Sequence, residues 1–447
     1  MRGVSCFVAL LLSVVAQAPA GETPWAEILG PAKGELPAPQ EKVIWRTDLS
    51  SALKEARDGN RPLFVTLRCL PCKQCSAFDK DVLEGGPELD PLLRQFITVR
   101  LTSAKEIDLR LMPVQGWQDL DLSWWAYFLS PEGRIYGIFG GRDEVSDATR
   151  ISKAALVTTL KRVLAHHYDP RRPAWNIDGP APDLSGPPVT PTQLPGYASW
   201  AKERKFDKQT AAAGCIHCHQ VAEVLRLPAI EAKTFDKSRD LDMWPLPENV
   251  GIKLDRDDGL RVTEVKAGSA ATVAGMKPGD ELAAAGGRKL FGQTDFRGVL
   301  HRGPRHTGQI EVRWLRDGKP MAGTLELSDG WRKTVLDWRM SISQGNIGAE
   351  PCFWPLASDA AEREKLHVSA GKMLVRAYAP FGTAKEAGVS DHMWIIAIDG
   401  QQPDLAGRAL LIWFRLRHEM GDPVTLTVLD DAGNKHDIHY KAGRWTD

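Results

Sequence analysis

The sequence lacks an excess of charge of either sign. Its 57 Lys and Arg residues balance its 57 Asp and Glu residues, so it offers no basic field for nucleic acid and no acidic field for cations. This balance argues against a nucleic-acid function. With 43% hydrophobic and 26% charged residues, the 447-residue chain has a globular composition, and its length predicts about three domains.

Long apolar segments are also missing, except for a short one at the N-terminus. Arg2 is followed by an apolar stretch from Val4 to Val15 and by the small residues of Ala18-Pro19-Ala20. This stretch is too short to span a bilayer. Residues 1–20 therefore predict a cleaved signal peptide, a periplasmic or secreted protein, an oxidising or redox-managed compartment and no membrane span in the mature chain.

Cysteine is scarce, and its distribution is not that of a disulfide framework. Of the seven cysteines, Cys6 lies in the predicted signal peptide, and Cys352 stands alone and is most simply a buried thiol. The other five form two clusters with two-residue gaps, a pattern that indicates redox or metal chemistry. These clusters are Cys69, Cys72 and Cys75, and Cys215 and Cys218.

The first cluster follows an apolar strand predicted at Leu63 to Leu67 and precedes a predicted helix. A cysteine at a helix N-terminus has a lowered pKa, because the positive end of the helix dipole stabilises its thiolate. A second cysteine one turn later can close a disulfide with the first. Strands and helices alternate over residues 41–168, which favours an α/β domain.

Three stretches of this domain resemble the exported thioredoxin-7-like branch of the thioredoxin fold. They are Arg61-Pro62-Leu63-Phe64-Val65, the segment from Cys72-Lys73-Gln74-Cys75 to Leu83, and Phe128-Leu129-Ser130-Pro131-Glu132-Gly133. The resemblance implies thiol–disulfide oxidoreductase activity, with Cys72 as the attacking thiolate and Cys75 as its resolving partner.

Two departures from this family leave alternatives open. Trp124 stands where the family has a cis-proline, and Cys69 has no counterpart in the family pattern. In the family, that proline guides substrates and helps to keep metals off the thiolates. A structural disulfide therefore remains an alternative, as does a soft metal such as Cu(I) or Zn held by Cys69, Cys72 and Cys75.

The second cluster, Cys215-Ile216-His217-Cys218-His219, has the Cys-x-x-Cys-His spacing of covalent c-type haem attachment. The two cysteines reach two vinyl groups as thioethers, and His219 ligates the iron. The local sequence resembles c-type cytochromes over this mostly helical segment, residues 197–245. Zinc held by Cys215, Cys218 and a histidine, or a plain disulfide, are the alternatives.

A sixth haem ligand has several candidates. Met243 is the first choice, and His217, His166 and His167 are alternatives, as is an open sixth position. His166 and His167 by themselves are expected to end a helix, where imidazolium ions suit the helix dipole.

Eight prolines between Pro170 and Pro195 predict a semi-rigid linker at residues 169–196. Beyond residue 245 a weak repeat begins, in which Asn249-Val250-Gly251-Ile252 corresponds to Asn346-Ile347-Gly348-Ala349. The period of roughly a hundred residues is that of a domain rather than a solenoid unit.

Gly268-Ser269-Ala270-Ala271, followed by the stretch from Ala274 to Leu282, resembles a bacterial PDZ domain. The resemblance implies PDZ domain 1 at residues 246–332 and a more divergent PDZ-like domain 2 at residues 338–443. In that family, the loop before the first strand binds a peptide C-terminal carboxylate. Carried over, this loop is Asn249, Val250, Gly251 and Ile252. The alternative is that the repeats pack internally and bind no peptide.

Together the motifs resemble exported bacterial thioredoxin-7/PDZ proteins, some of which carry selenocysteine where this chain has cysteine. The expected fold class is multidomain, α/β plus mainly β, with a thioredoxin-like domain, a short helical haem-binding segment and two PDZ-like domains. The expected function is a periplasmic thiol/haem redox protein that exchanges electrons with exported protein or thiol partners docked by its PDZ domains. A non-enzymatic exported adaptor and a cysteine-based metal-handling protein are the alternatives.

Overall fold

The computed structural model describes residues 23–67, 78–80, 82, 84–102, 106–122, 124–141, 152–203, 216–241, 243–333, 335–430 and 433–444. It is a mixed α/β structure with several sheets. None of the helices in these ranges combines the length and the apolar character needed to cross a membrane.

The first part of the chain forms a four-stranded sheet with helices on both faces. Its elements are α1 (Trp25–Ile28), α2 (Leu49–Gly59), β1 (Leu63–Leu67), α3 (Asp90–Leu93), β2 (Ile97–Leu101), α4 (Val114–Trp117), β3 (Trp124–Leu129), β4 (Ile135–Gly141) and α5 (Lys153–His167). The strand order is β2-β1-β3-β4, with β1 parallel to β2 and antiparallel to β3. Because α2 and α5 contribute to separate apolar cores, β1 and β3 are buried along their whole length.

Helix α5 ends at His166 and His167 as the sequence predicts, and both side chains are buried. Burial lowers the pKa of His166, and it lowers the pKa of His167 to about 4. His166 Nε2 lies 2.7 Å from Asp178 Oδ1, and His167 Nδ1 lies 2.8 Å from the Tyr136 hydroxyl. Burial therefore disfavours the imidazolium form of both rings, against the expectation of charged rings that interact with the helix dipole.

The proline-rich residues pack against the first sheet. The amide of Gly179 donates to Ile135 O at 2.9 Å, and the amide of Leu109 donates to Val189 O at 2.7 Å. The elements of this stretch and of the next are α6 (Arg172–Trp175), a 3-10 helix (Pro191–Gln193), α7 (Tyr197–Glu203), α8 (Cys218–Glu231), α9 (Lys237–Asp240) and a second 3-10 helix (Pro247–Val250). Residues 197–245 are therefore mostly helical where they are described.

The next region is built on two small sheets, β5-β6 and β10-β9-β7-β8. Its elements are β5 (Ile252–Leu254), β6 (Val262–Val265), α10 (Ala270–Val273), β7 (Glu281–Ala285), β8 (Arg288–Lys289), α11 (Gln293–Arg302), β9 (Gly308–Arg316) and β10 (Lys319–Leu327). Strand residues and α11 enclose one apolar core, which includes Phe296 and Trp314. Helix α11 also packs against β4 of the first sheet, since Thr294 Oγ1 donates to Gly140 O at 3.0 Å.

The C-terminal region is an antiparallel five-stranded sheet in the order β11-β12-β13-β14-β15. Its elements are α12 (Met340–Ser343), β11 (Trp354–Ala357), α13 (Ala360–Lys365), β12 (Val375–Tyr378), α14 (Gly382–Glu386), β13 (Trp394–Ile398), α15 (Gly407–Arg417), β14 (Pro423–Leu429) and β15 (Lys435–Lys441). As the sequence predicts, Cys352 is buried, at 1% exposure, and burial raises the pKa of its thiol.

Candidate functional site

Cys218 is the first residue of α8 and lies against the first sheet. The indole Nε1 of Trp125 donates a hydrogen bond to Cys218 Sγ at 3.1 Å. Trp125 belongs to β3, where it is paired in register with Leu67, the last residue of β1. Cys218 therefore lies beside the end of β1.

His219 lies one residue further along α8, and a buried carboxylate faces it. His219 Nδ1 is 3.6 Å from Glu223 Oε1, one helical turn later, and the side chain of Glu223 is only 1% exposed. Trp200 Nε1 of α7 donates to the other Glu223 oxygen at 3.0 Å. The His217 ring stacks on that of His219 at 5.6 Å, and burial, together with the charge of His219, lowers the pKa of His217.

These residues fit a histidine that ligates a metal or haem iron. Ligating histidines commonly use their second ring nitrogen to hold a carboxylate or carbonyl, which fixes the ring and raises its basicity. Glu223 stands at that position beside Nδ1 of His219. Neither Glu223 nor Trp200 was identified from the sequence. The four-residue spacing from His219 to Glu223 on one helix was the available signal.

Met243, the first choice for a sixth ligand, has another partner in this structure. Its Sδ accepts a hydrogen bond from Arg226 Nη2 at 3.3 Å, and the residue is 9% exposed. Arg226 follows His219 by seven residues, which is about 10 Å along a helix. Ligation by Met243 stays a prediction, and it would require Arg226 to release the thioether.

The alternative ligands His166 and His167 are held elsewhere. His167 engages both ring nitrogens, with Tyr136 and with Asn60 O at 3.1 Å, and His166 is bound to Asp178. Ligation by either would break these interactions. His217 remains beside His219 as described above.

The remaining predicted cysteines, Cys69, Cys72, Cys75 and Cys215, lie outside the described residues. Within the part of the chain that is described, no group of three His, Cys, Asp or Glu side chains is arranged to hold a metal ion. Trp124 begins β3, and the peptide bond before it involves residue 123, which is also outside the described ranges. The Trp124 ring packs edge-on against Phe78 at 4.9 Å.

The predicted peptide-binding loop forms the end of a 3-10 helix and the start of β5. Asn249 and Val250 close the helix, Gly251 has φ 86°, and Ile252 begins the strand. A Cβ on Gly251 would lie 2.1 Å from Ser269 Cβ, so only glycine fits there. Asn249 Nδ2 donates to Trp331 O at 2.8 Å and to Lys333 O at 2.6 Å, which ties the loop to the chain after β10.

A buried ionic cluster, which sequence reasoning missed, joins three parts of the chain. Asp119, before β3, binds Arg297 of α11 at 2.5 Å and Arg339 at 2.8 Å. Asp121 binds Arg339 at 3.0 Å and accepts from the Ser341 amide at 2.7 Å. Burial alone would raise the pKa of Asp119, but the charges of Arg339 and Arg297 outweigh it and lower this pKa to about 2. Asp119 therefore stays ionised at neutral pH.

The comparisons with known proteins cover part of the chain. A family model described as "Thioredoxin-like" matches residues 44–111, so the chain contains a thioredoxin-like domain. No curated protein matches the sequence.

Among solved structures, one of the HtrA-type protease AlgW with a decapeptide is 16% identical, covers 38% of this chain and 55% of its own, and has a TM-score of 0.20. A variant of that protease with a decapeptide is 16% identical, covers 30% of this chain and 41% of its own, and has a TM-score of 0.19. Similarity at this level carries no argument about the fold or the function.

Proposed function

We propose that this chain is an exported thiol/haem redox protein that exchanges electrons with exported protein or small-thiol partners. The match of residues 44–111 to a thioredoxin-like family model supports a redox role in general. The finer assignment rests on the two cysteine clusters and on the position of Cys218. In this proposal Cys72 and Cys75 form the dithiol, and Cys215, Cys218 and His219 attach a c-type haem.

The contact between Cys218 and Trp125 is the observation that carries the proposal. Trp125 is paired with Leu67, the last residue of β1, so Cys218 lies beside the end of that strand. Cys72 follows Leu67 by five residues in the sequence, a length of chain that spans at most about 18 Å. In this proposal the haem at Cys218 and the dithiol of Cys72 and Cys75 would therefore be near enough to exchange electrons.

Each half of the site has a defined part in this chemistry. A c-type haem supplies single-electron transfer when bound. Oxidation of the Cys72 and Cys75 thiols to a disulfide releases two electrons and two protons, so each disulfide requires two single-electron transfers. His219 would ligate the haem iron through Nε2, and Glu223 Oε1, 3.6 Å from Nδ1, would orient the ring.

The haem assignment is tested with the full-length protein, which is expressed for export together with haem-maturation machinery. The wild-type protein should show a Soret band and an intact mass that includes covalently attached haem. Cys218→Ser should lose one thioether, and His219→Ala should change the spectrum of the iron. His306→Ala is the control, because His306 lies outside the haem segment and its side chain is 81% exposed. A colourless wild-type protein would exclude the haem half.

The dithiol half is tested by insulin reduction. Activity should be lost in Cys72→Ser and retained in Cys352→Ser, since Cys352 lies in the C-terminal core. Equal activity in all three proteins would exclude thiol exchange at Cys72. Copper or zinc bound stoichiometrically and lost in Cys69→Ser would support the metal-handling alternative instead.

A non-enzymatic adaptor is the second candidate, and the buried ionic cluster favours it. Asp119 binds both Arg297 and Arg339, so the thioredoxin-like sheet and the proposed PDZ domain 1 are held in one arrangement. A platform that presents two docking surfaces would use such an arrangement. Peptide binding that requires a free C-terminal carboxylate and persists in Cys72→Ser would support this role.

A further inference from the structure

Two arginines share the ring of Trp117 at the junction of the first sheet and the following region. The Cζ of Arg288 lies 4.7 Å and that of Arg302 lies 4.2 Å from the centroid of this ring. Arg288 belongs to β8, Arg302 ends α11 and Trp117 ends α4. Three separate elements therefore bring two positive charges to one place.

The two guanidinium groups donate to backbone carbonyls. Arg288 Nη2 donates to Ile135 O at 3.1 Å and to Tyr136 O at 3.3 Å, and Arg302 Nη1 donates to Gly116 O at 2.9 Å. Among the ion pairs of the described residues, none within 4.0 Å involves either arginine. Burial and the charge of Arg288 lower the pKa of Arg302 to about 10, as expected for like charges held together.

Two other charged residues, Asp295 and Lys289, line the same small pocket as Arg288 and Arg302. Asp295 uses its two oxygens to accept from the amides of Ile138 at 2.7 Å and Phe291 at 3.0 Å, so its hydrogen-bonding capacity is directed at the backbone. Lys289 adds a third positive charge, and burial lowers its pKa to about 8. The positive charges of Arg288, Arg302 and Lys289 therefore outnumber the negative charge of Asp295.

Both arginines line a cavity of about 350 Å³ that opens to solvent. A second, smaller pocket of about 10 Å³ lies against the same two side chains and reaches Trp117 and Asp295, with space for about one water. Gln309 and Glu311 of β9 also line the larger cavity. The side chain of Glu311 is 73% exposed and lies 4.0 Å from Arg313.

We propose that this cavity binds a small molecule bearing a carboxylate or phosphate group, with Arg288 and Arg302 as the residues that hold the anion. A guanidinium group presents paired N–H donors whose spacing matches the oxygens of either group. Clefts at the junction of two structural units are a common place for such ligands. Nothing in this site depends on the cysteine clusters, so it stands apart from the proposed redox function.

The experiment measures binding of inorganic phosphate and of succinate to the full-length protein by calorimetry at low ionic strength. Saturable binding of one probe identifies which oxyanion the site prefers. Arg302→Gln should weaken binding at least tenfold, and Arg302→Lys should weaken it less because the charge remains. Arg256→Gln is the matched control, because Arg256 is exposed and lies outside the cavity lining.

A second variant tests the same site without disturbing the junction. Glu311→Gln removes a negative charge from the cavity lining and should tighten binding severalfold. Because Glu311 is largely exposed, the variant should fold as the wild-type protein does. Binding that is unchanged in Arg302→Gln and in Glu311→Gln, or the absence of saturable binding to the wild-type protein, would overturn the proposal.

Discussion

The guanidinium of Arg339 binds the carboxylate of Asp119 at 2.8 Å across 220 residues of sequence, with both side chains 1% exposed. Asp119 also binds Arg297, so one carboxylate serves two cations from different parts of the chain. Removing one partner of a buried ion pair leaves an uncompensated charge in the interior. The regions joined at this cluster should therefore lose stability together.

Replacing this carboxylate should destabilise the protein strongly. Asp119→Asn leaves Arg297 and Arg339 buried without their shared counter-charge, which should lower the free energy of unfolding by about 3 kcal/mol. Urea denaturation measures the change. Arg239→Gln is the control, since its pair with Asp240 is exposed and should contribute no more than about 1 kcal/mol. Equal effects of the two substitutions would contradict the role of the buried cluster.

Asp119 also predicts a loss of stability in acid. Its folded pKa of about 2 lies below the ordinary value of 3.8, so its contribution is complete above about pH 4. The contribution should disappear as the pH falls from 4 towards 2. The wild-type protein should therefore lose more stability over this range than Asp119→Asn does, as thermal unfolding at both pH values can show. Parallel losses in the two proteins would refute the assignment.

For Asp295, we expect the opposite dependence of stability on pH. Burial raises the pKa of this carboxyl from 3.8 to about 6, so its contribution is complete below about pH 4 and is lost as the pH rises through 6. Asp295→Asn cannot ionise and should gain roughly 2–3 kcal/mol relative to the wild-type protein between pH 4 and 8. The difference between the two free energies of unfolding at these pH values measures the effect. A constant difference would show that Asp295 does not titrate in this range.

The elements that the sequence predicts well are those specified by local patterns. The apolar run Leu63–Leu67 predicts a buried strand, and all five of its residues are buried in β1. The turn before β7 has Gly275 at φ 87° and Gly279 at φ 93°, conformations that favour glycine, and Asp280 accepts from the Lys277 amide. Such features need only neighbouring residues, so the pattern is visible without the fold.

The contacts that define the candidate site were not accessible from local patterns. Trp125 and Cys218 are 93 residues apart, and their contact depends on how α8 packs on the first sheet. The Cys-x-x-Cys-His spacing indicated the chemistry of Cys218 and His219, but it carried no information about Glu223 or Trp200. Charged residues such as Asp119 look like surface residues in a sequence until their distant partners are known.

The predicted peptide-binding loop should depend on Asn249. Asn249→Ala removes both hydrogen bonds to the chain at Trp331 and Lys333 and should lower stability by about 1–2 kcal/mol. Backbone amides in residues 328–333 should then exchange hydrogen faster, which mass spectrometry can follow. Asn434→Ala, at an exposed hairpin bonded to Asp430, is the control. Unchanged exchange in residues 328–333 would show that Asn249 does not hold this segment.

The indole of Trp125 should tune the thiol of Cys218. Trp125→Phe keeps an aromatic ring in β3 but removes the N–H that donates to Sγ, so the thiolate of Cys218 loses a stabilising partner. In protein without attached haem, alkylation of Cys218 by iodoacetamide at neutral pH should slow by roughly two- to fivefold, because the thiolate fraction falls. Peptide mass spectrometry gives the rate at this residue. Trp124→Phe is the matched control, since its indole N–H is directed at Asp79 rather than at sulfur. An equal decrease in both variants would mean that general packing, and not the hydrogen bond to sulfur, sets the reactivity of Cys218.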